Sequence, residues 1–193
     1  MSDFEFNPFS TRFIRPDACE YVFLEQESLP DIFDRLTATG GWGQIIGPHG
    51  CGKSTLLNAL KRHYESQNVE VAHAMLTSSS FSLQPLLHEN TAQVLLDGYE
   101  QLNWWRRMRL KWRCRQRKCG LLVTCHQDLG LPTIATLQPN LKRLQRVVEW
   151  LIPNPADRPS KATLEQIYQV SNSDIRECLF HLYDWYEAGA EGT

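Results

Sequence analysis

Hydrophobic and polar positions divide the 193-residue chain into short strand-like runs and longer helix-like segments. Five apolar runs predict β-strands at residues 42–46, 69–76, 91–97, 120–124 and 133–137. Apolar residues at helical spacing predict helices at 28–36, 53–66, 83–89, 102–118, 140–151, 163–170 and 173–188. Because strands alternate with helices, we expect an α/β fold of three layers, with a mostly parallel five-stranded sheet between helices.

The pattern changes near residue 153, where the predicted strands stop. Three prolines (Pro153, Pro155 and Pro159) follow the helix at 140–151, and only helices are predicted after them. We therefore predict an α/β domain at 1–152 and a small helical subdomain at 153–193. The N-terminal extension at 1–41 is aromatic and broken by prolines, and we expect a short strand and loops near its start.

Composition places the chain among ordinary globular proteins. With 42% hydrophobic and 22% charged residues, extended disorder is excluded. No apolar run approaches the roughly 20 residues of a membrane helix, so we expect no membrane span. The first residues lack a basic-then-apolar signal, which favours a cytoplasmic location. The six cysteines have no familiar metal-site spacing, and we expect buried reduced thiols.

Positive charge is concentrated in one block at residues 106–118. Eight of its thirteen residues are Arg or Lys and none is acidic, whereas the rest of the chain has 12 basic and 22 acidic residues. We expect Leu102, Trp105, Met108 and Trp112 to form the apolar side of this helix. Its basic faces are then either a solvated surface with Trp105 and Trp112 as core anchors, or a functional surface. The functional alternatives are contact with an anionic partner (nucleic acid or an acidic protein), an arginine finger for a neighbouring subunit, and a phosphate-binding lid.

A phosphate-binding motif follows the first predicted strand. The pattern G-x-x-x-x-G-K-[ST] is matched, with one residue beyond it, by Gly47, Pro48, His49, Gly50, Cys51, Gly52, Lys53, Ser54 and Thr55. Glycines allow backbone N–H groups to wrap around phosphates, and the N-terminus of the following helix adds a positive potential. Lys53 supplies a charge for the β- and γ-phosphates, and the Ser54 hydroxyl is a ligand for Mg²⁺. We expect a nucleoside triphosphate to bind here, with the Lys53 side chain facing solvent when no ligand is bound.

On this motif, the segment 42–138 resembles the P-loop NTPase superfamily. In that superfamily an acidic residue at the end of an apolar strand holds Mg²⁺, and the resemblance assigns this role to Asp97. The strand at 69–76, between the loop-bearing strand and the Asp97 strand, resembles the division that contains ABC, AAA+ and RecA-like ATPases. Gly98 stands where those families place a catalytic glutamate. Glu100 is therefore the expected acid that polarises water, although an acid favoured by a helix start is the alternative.

The resemblance implies further roles beyond this strand. In these families a polar residue at the tip of the strand at 120–124 senses the γ-phosphate, and Thr124 and His126 are the candidates here. The segment 171–179 resembles the start of an AAA+ lid helix, where an arginine such as Arg176 reaches the nucleotide. The same segment also fits a helix-turn-helix, which we rank lower because its acidic residues would repel phosphates.

These features predict a Mg²⁺-dependent ATPase with weak basal hydrolysis that a partner stimulates. The expected catalytic residues are Lys53, Glu100, Thr124, His126 and Arg176. The expected Mg²⁺ ligands are Ser54 and Asp97. ATP is favoured over GTP because the chain has no Asn-Lys-x-Asp motif. The alternatives are a P-loop kinase acting on a small molecule and a nucleotide-gated module that binds nucleic acid through residues 106–118. The sequence leaves oligomerisation open.

Overall fold

The computed structural model of the chain describes residues 7–25, 27–76 and 87–190. Within these residues the strands are β1 (Trp42–Ile46), β2 (Val71–Met75), β3 (Gln93–Asp97), β4 (Gly120–Cys125) and β5 (Thr133–Thr136). The helices are α1 (Thr11–Ile14), α2 (Leu29–Ala38), α3 (Lys53–Ser66), α4 (Trp104–Gln116), α5 (Leu141–Leu151), α6 (Lys161–Val170) and α7 (Ile175–Ala190). Short 3₁₀ turns span Tyr99–Gln101 and Pro155–Asp157. The helix predicted at 83–89 falls mostly outside the described residues.

The five strands form one sheet in the order β2-β3-β4-β1-β5, and all four pairings are parallel. The predicted five-stranded parallel sheet is thus confirmed. The prediction that residues 69–76 form the strand between the loop-bearing strand and the Asp97 strand is wrong within the sheet. That position belongs to β4, while β2 pairs with β3 alone at the sheet's edge, because the crossover through α3 carries the chain past two strand positions.

The chain folds into two compact units that interleave along the sequence. The sheet unit contains residues 27–47 and 53–137, and the helical unit contains the described residues of 1–26, 48–52 and 138–193. The predicted domain boundary at residue 152 stays a prediction. No helix in the described part of the chain is long and apolar enough to cross a bilayer.

The sheet unit has a helix on each face of its sheet. Val94 and Leu96 of β3 pack in one cluster with Leu110 of α4. The neighbouring residue Gln93 lies on the opposite face, where its Oε1 accepts a hydrogen bond from Tyr64 of α3 (3.3 Å). Because successive side chains of a strand point to opposite faces of the sheet, α3 and α4 lie on different faces. The predicted three-layer arrangement is therefore present in this unit.

The orientation of α4 differs from the prediction. Leu102, just before the helix, is buried as expected, but Trp105, Met108 and Trp112 are exposed. The residues that face the core are Leu110 and Cys114, one helical turn apart and both fully buried. The predicted apolar side was chosen from the largest side chains. The sheet instead accepts the smaller Leu110 and Cys114, which allow α4 to pack closely.

The helical unit has a core of its own. Phe9 packs in one cluster with Leu144 and Val148 of α5 and with Cys178 and Leu182 of α7. The short strand expected near the N-terminus is wrong for residues 7–25, which form α1 and irregular chain. The described part of this unit contains no strand with which such a segment could pair, so its aromatic residues are buried by helices.

Candidate functional site

The loop between β1 and α3 has the backbone that its glycines allow. Gly50 and Gly52 adopt φ values of +66° and +94°, a region in which only glycine is free of strain. The motif therefore stands in a strand–loop–helix context, with β1 ending at Ile46 and α3 beginning at Lys53. This is the local structure that the motif predicts.

Lys53 is buried at the start of α3, so its predicted solvent exposure is wrong. Its Nζ donates a hydrogen bond to the carbonyl oxygen of Gly47 (2.7 Å) and lies 3.4 Å from Nδ1 of His126. These two acceptors let the ammonium group remain in the protein, which explains why the side chain does not extend into water.

His126 connects Lys53 to Glu100. The Nε2 atom of His126 lies 3.0 Å from Oε1 of Glu100, and its Nδ1 lies 3.1 Å from the Gly47 carbonyl oxygen. The imidazole therefore bridges the ammonium group of Lys53 and the carboxylate of Glu100.

Glu100 lies in the 3₁₀ turn that follows β3. Gly98 precedes the turn with a φ of +78°, a left-handed conformation that directs the chain into it. The second carboxylate oxygen of Glu100, Oε2, is buried and has no hydrogen-bond partner among the described residues. Buried carboxylate oxygens are normally hydrogen-bonded, so this atom is an open acceptor for a water or ligand group.

Asp97 and Thr124 lie side by side at the ends of β3 and β4. The register pairs Leu96 with Val123, which places the next residues, Asp97 and Thr124, next to each other. The Thr124 hydroxyl donates to Oδ1 of Asp97 and accepts a hydrogen bond from the Gly98 amide (2.9 Å). Since its one proton is committed to Asp97, Thr124 orients that carboxylate. We call Gly47, Lys53, Asp97, Glu100, Thr124 and His126 the strand-end cluster.

The remaining loop residues belong to the helical unit, where Gly50 contacts Asp174. A Cβ atom added at Gly50 would overlap the carboxylate of Asp174, so no larger residue fits there. Asp174 also caps α7, because its Oδ1 accepts from the amides of Arg176 (2.8 Å) and Glu177 (3.2 Å). Arg176 lies in the first turn of this capped helix, as predicted, and its side chain is exposed.

The other four loop residues, at positions 48, 49, 51 and 52, also belong to the helical unit. Gly52 lies against the ring of Tyr21 in the helical unit, at 3.4 Å from an added Cβ. The Cys51 thiol is buried and donates to the Pro48 carbonyl oxygen (3.1 Å), while His49 is exposed. These contacts anchor the loop within the helical unit.

The donor chemistry suits magnesium. Ser54 and Thr55 are half-buried in the first turn of α3, and Asp97 supplies a carboxylate. Among the described residues no group of three His, Cys, Asp or Glu side chains forms a protein cage for a metal ion. Mg²⁺ is commonly held by one or two protein oxygens together with substrate phosphates and water, so Ser54 and Asp97 fit it.

The six cysteines are buried thiols. Cys125 ends β4 within the sheet unit, and burial raises the pKa of its thiol to about 11, with Glu100 adding to the effect. Cys125 is therefore neutral at physiological pH and leaves the charge of the strand-end cluster to Lys53, Asp97 and Glu100.

Sequence reasoning missed three parts of this arrangement. Asp174 stands against Gly50, the Gly47 carbonyl accepts from Lys53, and Arg107 of α4 donates from Nη2 to the backbone oxygen of Glu100 (3.0 Å). Asp174 had a local signal as the cap of a predicted helix. The other two are hydrogen bonds to backbone carbonyl oxygens, which no motif encodes.

Comparison with known proteins adds no relative: neither a protein-family model nor a curated protein sequence matches this chain. The functional argument therefore depends on the geometry of the site.

Proposed function

We propose that this protein binds a nucleoside triphosphate together with Mg²⁺ and hydrolyses its terminal phosphate slowly, with ATP as the favoured nucleotide. The observation that carries the proposal is the strand-end cluster itself. The lysine of a glycine-rich motif, a strand-end aspartate and a glutamate with an open oxygen meet at the carboxyl ends of β1, β3 and β4. In open parallel sheets this edge is where ligands bind. The order of the sheet, with β4 inserted between β1 and β3, supports the assignment to the P-loop superfamily.

Each residue has a role in holding the triphosphate. Lys53 exchanges the Gly47 carbonyl oxygen for phosphate oxygens and neutralises their charge. Ser54 and Asp97 hold Mg²⁺, with Thr124 fixing the orientation of Asp97. When bound, Mg²⁺ supplies a positive charge that lowers the cost of charge developing on the phosphate oxygens.

Glu100 activates the attacking water. Its Oε2 accepts the proton of a water whose oxygen forms the new bond to the γ-phosphorus, and the bond from that phosphorus to the β-phosphate bridging oxygen breaks. The products are the nucleoside diphosphate and inorganic phosphate. His126 holds the other carboxylate oxygen and is a positioning residue in this scheme, since it contacts Glu100 rather than the water.

Turnover without a partner is expected to be slow. Glu100 lies in a short turn three residues after Asp97, and its backbone is held by Arg107 from α4. A group on a turn of this kind is positioned less rigidly than one on the strand itself, and rate depends steeply on such positioning. A partner on α4 would stimulate hydrolysis by fixing this turn.

Isothermal titration with Mg-ATP and a phosphate-release assay test the proposal. Lys53→Met keeps the buried stem but removes the charge, and it is expected to weaken ATP affinity by at least about tenfold. Glu100→Gln keeps the hydrogen bond to His126 and is expected to retain ATP affinity while losing about 100-fold in turnover. Glu149→Gln, at an exposed position of α5, is the matched control and is expected to behave as the unmodified protein.

The outcomes separate binding from catalysis. Equal ATP affinity in the unmodified protein and in Lys53→Met would overturn the assignment of the loop. Full turnover in Glu100→Gln would overturn the role of Glu100 as the base. Binding of ATP with phosphate transfer only when a small-molecule acceptor is added would instead support a P-loop kinase.

A further inference from the structure

The outward side of α4 carries large apolar side chains that nothing in the described chain covers. Trp105 is 74% exposed, Trp112 is 59% exposed and Met108 is 45% exposed. Trp104, which packs edge-on against Trp105, is 60% exposed. Four such residues on one three-turn helix amount to a surface that soluble proteins rarely leave in water unless it binds something.

Three of these residues form a straight stripe along the helix. Trp105, Met108 and Trp112 are spaced by three and four residues, which places them on one side of α4. The stripe lies opposite the buried pair Leu110 and Cys114, and its two indoles are about 10 Å apart along the helix axis. We call this stripe the α4 outer face.

Cations border the α4 outer face on both sides. Arg109 and Arg113 form one row at i,i+4 spacing, and Lys111 and Arg115 form the other. No ion pair involving Arg109 or Arg113 exists among the described residues. Partial burial, together with the nearby Arg115 and Arg107, lowers the pKa of Lys111, which agrees with a strongly positive surface.

We propose that the α4 outer face binds a single-stranded polynucleotide, with bases stacked on Trp105 and Trp112 and phosphates paired with Arg109 and Arg113. Indole rings stack on any base, and such stacking is tolerant of sequence. Six of the eight cations at 106–118 are arginines, whose planar, forked donors match phosphate oxygens. Together these features supply both halves of single-strand binding, an aromatic platform and a cationic border.

The composition of the face favours this occupant over others. An interfacial membrane helix buries a broad aliphatic and aromatic face, whereas Leu110, the one aliphatic residue of α4 apart from methionine, is fully buried on the inner side. A duplex offers its phosphates but keeps its bases stacked on one another, so the indoles would have no partner.

The outer face is also connected to the strand-end cluster. Arg107 of the same helix donates to the backbone oxygen of Glu100 and lies with its guanidinium 5.4 Å from the centre of the Tyr99 ring. A polynucleotide that fixes α4 would therefore fix the turn that carries Glu100. Stimulation of hydrolysis by the polynucleotide rests on the proposed function, while binding itself does not.

Fluorescence anisotropy of a labelled single-stranded oligonucleotide tests binding, with the full chain and no nucleotide present. Replacing both indoles (Trp105→Ala with Trp112→Ala) is expected to weaken affinity at least about tenfold because two base stacks are lost. Arg109→Gln with Arg113→Gln is expected to reduce the slope of log affinity against log salt by about 1.4, since each phosphate contact to a single strand contributes about 0.7. Trp150→Ala and Lys161→Gln, both exposed in the helical unit, are the matched controls and are expected to bind as the unmodified protein does.

Three further arms decide between occupants. Equal or tighter binding of a duplex of the same sequence would overturn the proposal. A second outcome is that the protein sediments with vesicles that contain anionic lipid and does not bind the oligonucleotide. If the two-tryptophan variant then fails to sediment, the face binds a membrane. A third outcome is that the protein self-associates with rising concentration and does not bind the oligonucleotide. If the same variant stays monomeric, the face binds a second copy of the chain. Lys53→Met separates the two proposals, because it is expected to lose ATP affinity and to retain oligonucleotide affinity.

Discussion

Charged side chains are buried in the strand-end cluster, whereas large apolar side chains are exposed on the α4 outer face. In the cluster, Asp97 and Lys53 are buried and each is hydrogen-bonded to a neighbour at the end of an adjoining strand or loop. On the outer face, indoles stand in water, and Arg109 and Arg113 have no ion-pair partner among the described residues. The two regions come closest in the chain at Glu100 and Trp105, which are five residues apart.

This difference in burial shows which region stabilises the fold and which is available to a partner. Burying charged groups is costly unless they are paired, so the cluster requires its internal contacts in order to fold. The outer face contributes little to folding, since exposed residues gain little from their own chain. Residues of the cluster therefore affect both stability and activity, whereas residues of the outer face are expected to affect binding alone.

The largest effect is expected from Leu110→Ala on the inner side of α4, compared with Trp112→Ala on the outer side. Leu110→Ala removes a fully buried side chain and is expected to lower the free energy of unfolding by about 2–5 kcal/mol. Trp112→Ala removes a larger side chain that is mostly exposed, and its effect is expected to stay within about 0.5 kcal/mol. Urea unfolding followed by circular dichroism measures both.

The pair tests the orientation of the helix directly. Equal losses of stability would mean that Trp112 is a core residue, and the comparison between the two regions would fail. A loss in Trp112→Ala larger than that in Leu110→Ala would restore the orientation predicted from the sequence.

A smaller effect is expected within the strand-end cluster. Thr124→Val keeps the shape of the side chain but leaves Asp97 and the Gly98 amide without the hydroxyl that joins them. Loss of this buried contact is expected to lower the free energy of unfolding by about 2 kcal/mol and to weaken Mg²⁺-dependent ATP binding. Thr136→Val, exposed on β5, is the control and is expected to change neither quantity. If Thr124→Val leaves the free energy of unfolding unchanged, the Thr124 hydroxyl does not stabilise the buried Asp97 carboxylate.

Local patterns were sufficient to predict most of the fold. The apolar runs that became β1 and β4 and the helical spacings that became α3 and α5 each depend on neighbours in the chain. Local patterns could not predict the order of the strands, because β4 lies between β1 and β3 through pairing with strands that are distant in the chain. Sequence order alone suggested residues 69–76 for that place.

The candidate site was predictable in its membership and less so in its contacts. Lys53 was named from the motif, and the resemblance to P-loop NTPases assigned roles to Asp97, Glu100, Thr124 and His126. The burial of Lys53 was missed because its acceptors, the Gly47 carbonyl oxygen and His126, come from a backbone atom and a distant strand. The orientation of α4 was predicted wrongly because two of its sides could face a core. One side carries tryptophans, and the other carries smaller apolar residues.

The smallest effect concerns the inner side of α4 and its dependence on pH. Burial, with Cys119 beside it, raises the pKa of the Cys114 thiol well above its ordinary range. Above about pH 8.5 the unfolded chain releases this proton and the folded chain keeps it. The free energy of unfolding is therefore expected to fall as pH rises past that value, with this thiol contributing at most about 1.4 kcal/mol per pH unit.

Urea unfolding at several alkaline pH values measures this contribution. Cys114→Ala also leaves a small cavity, so the readout is the slope of unfolding free energy against pH, which the cavity does not change. The slope is expected to be shallower in Cys114→Ala and unchanged in Trp112→Ala, because Trp112 lies on the opposite side of α4 from the buried Cys114. Parallel slopes in Cys114→Ala and the unmodified protein would show that water reaches Cys114 in the folded chain, and the contrast between the two sides of the helix would lose its physical basis.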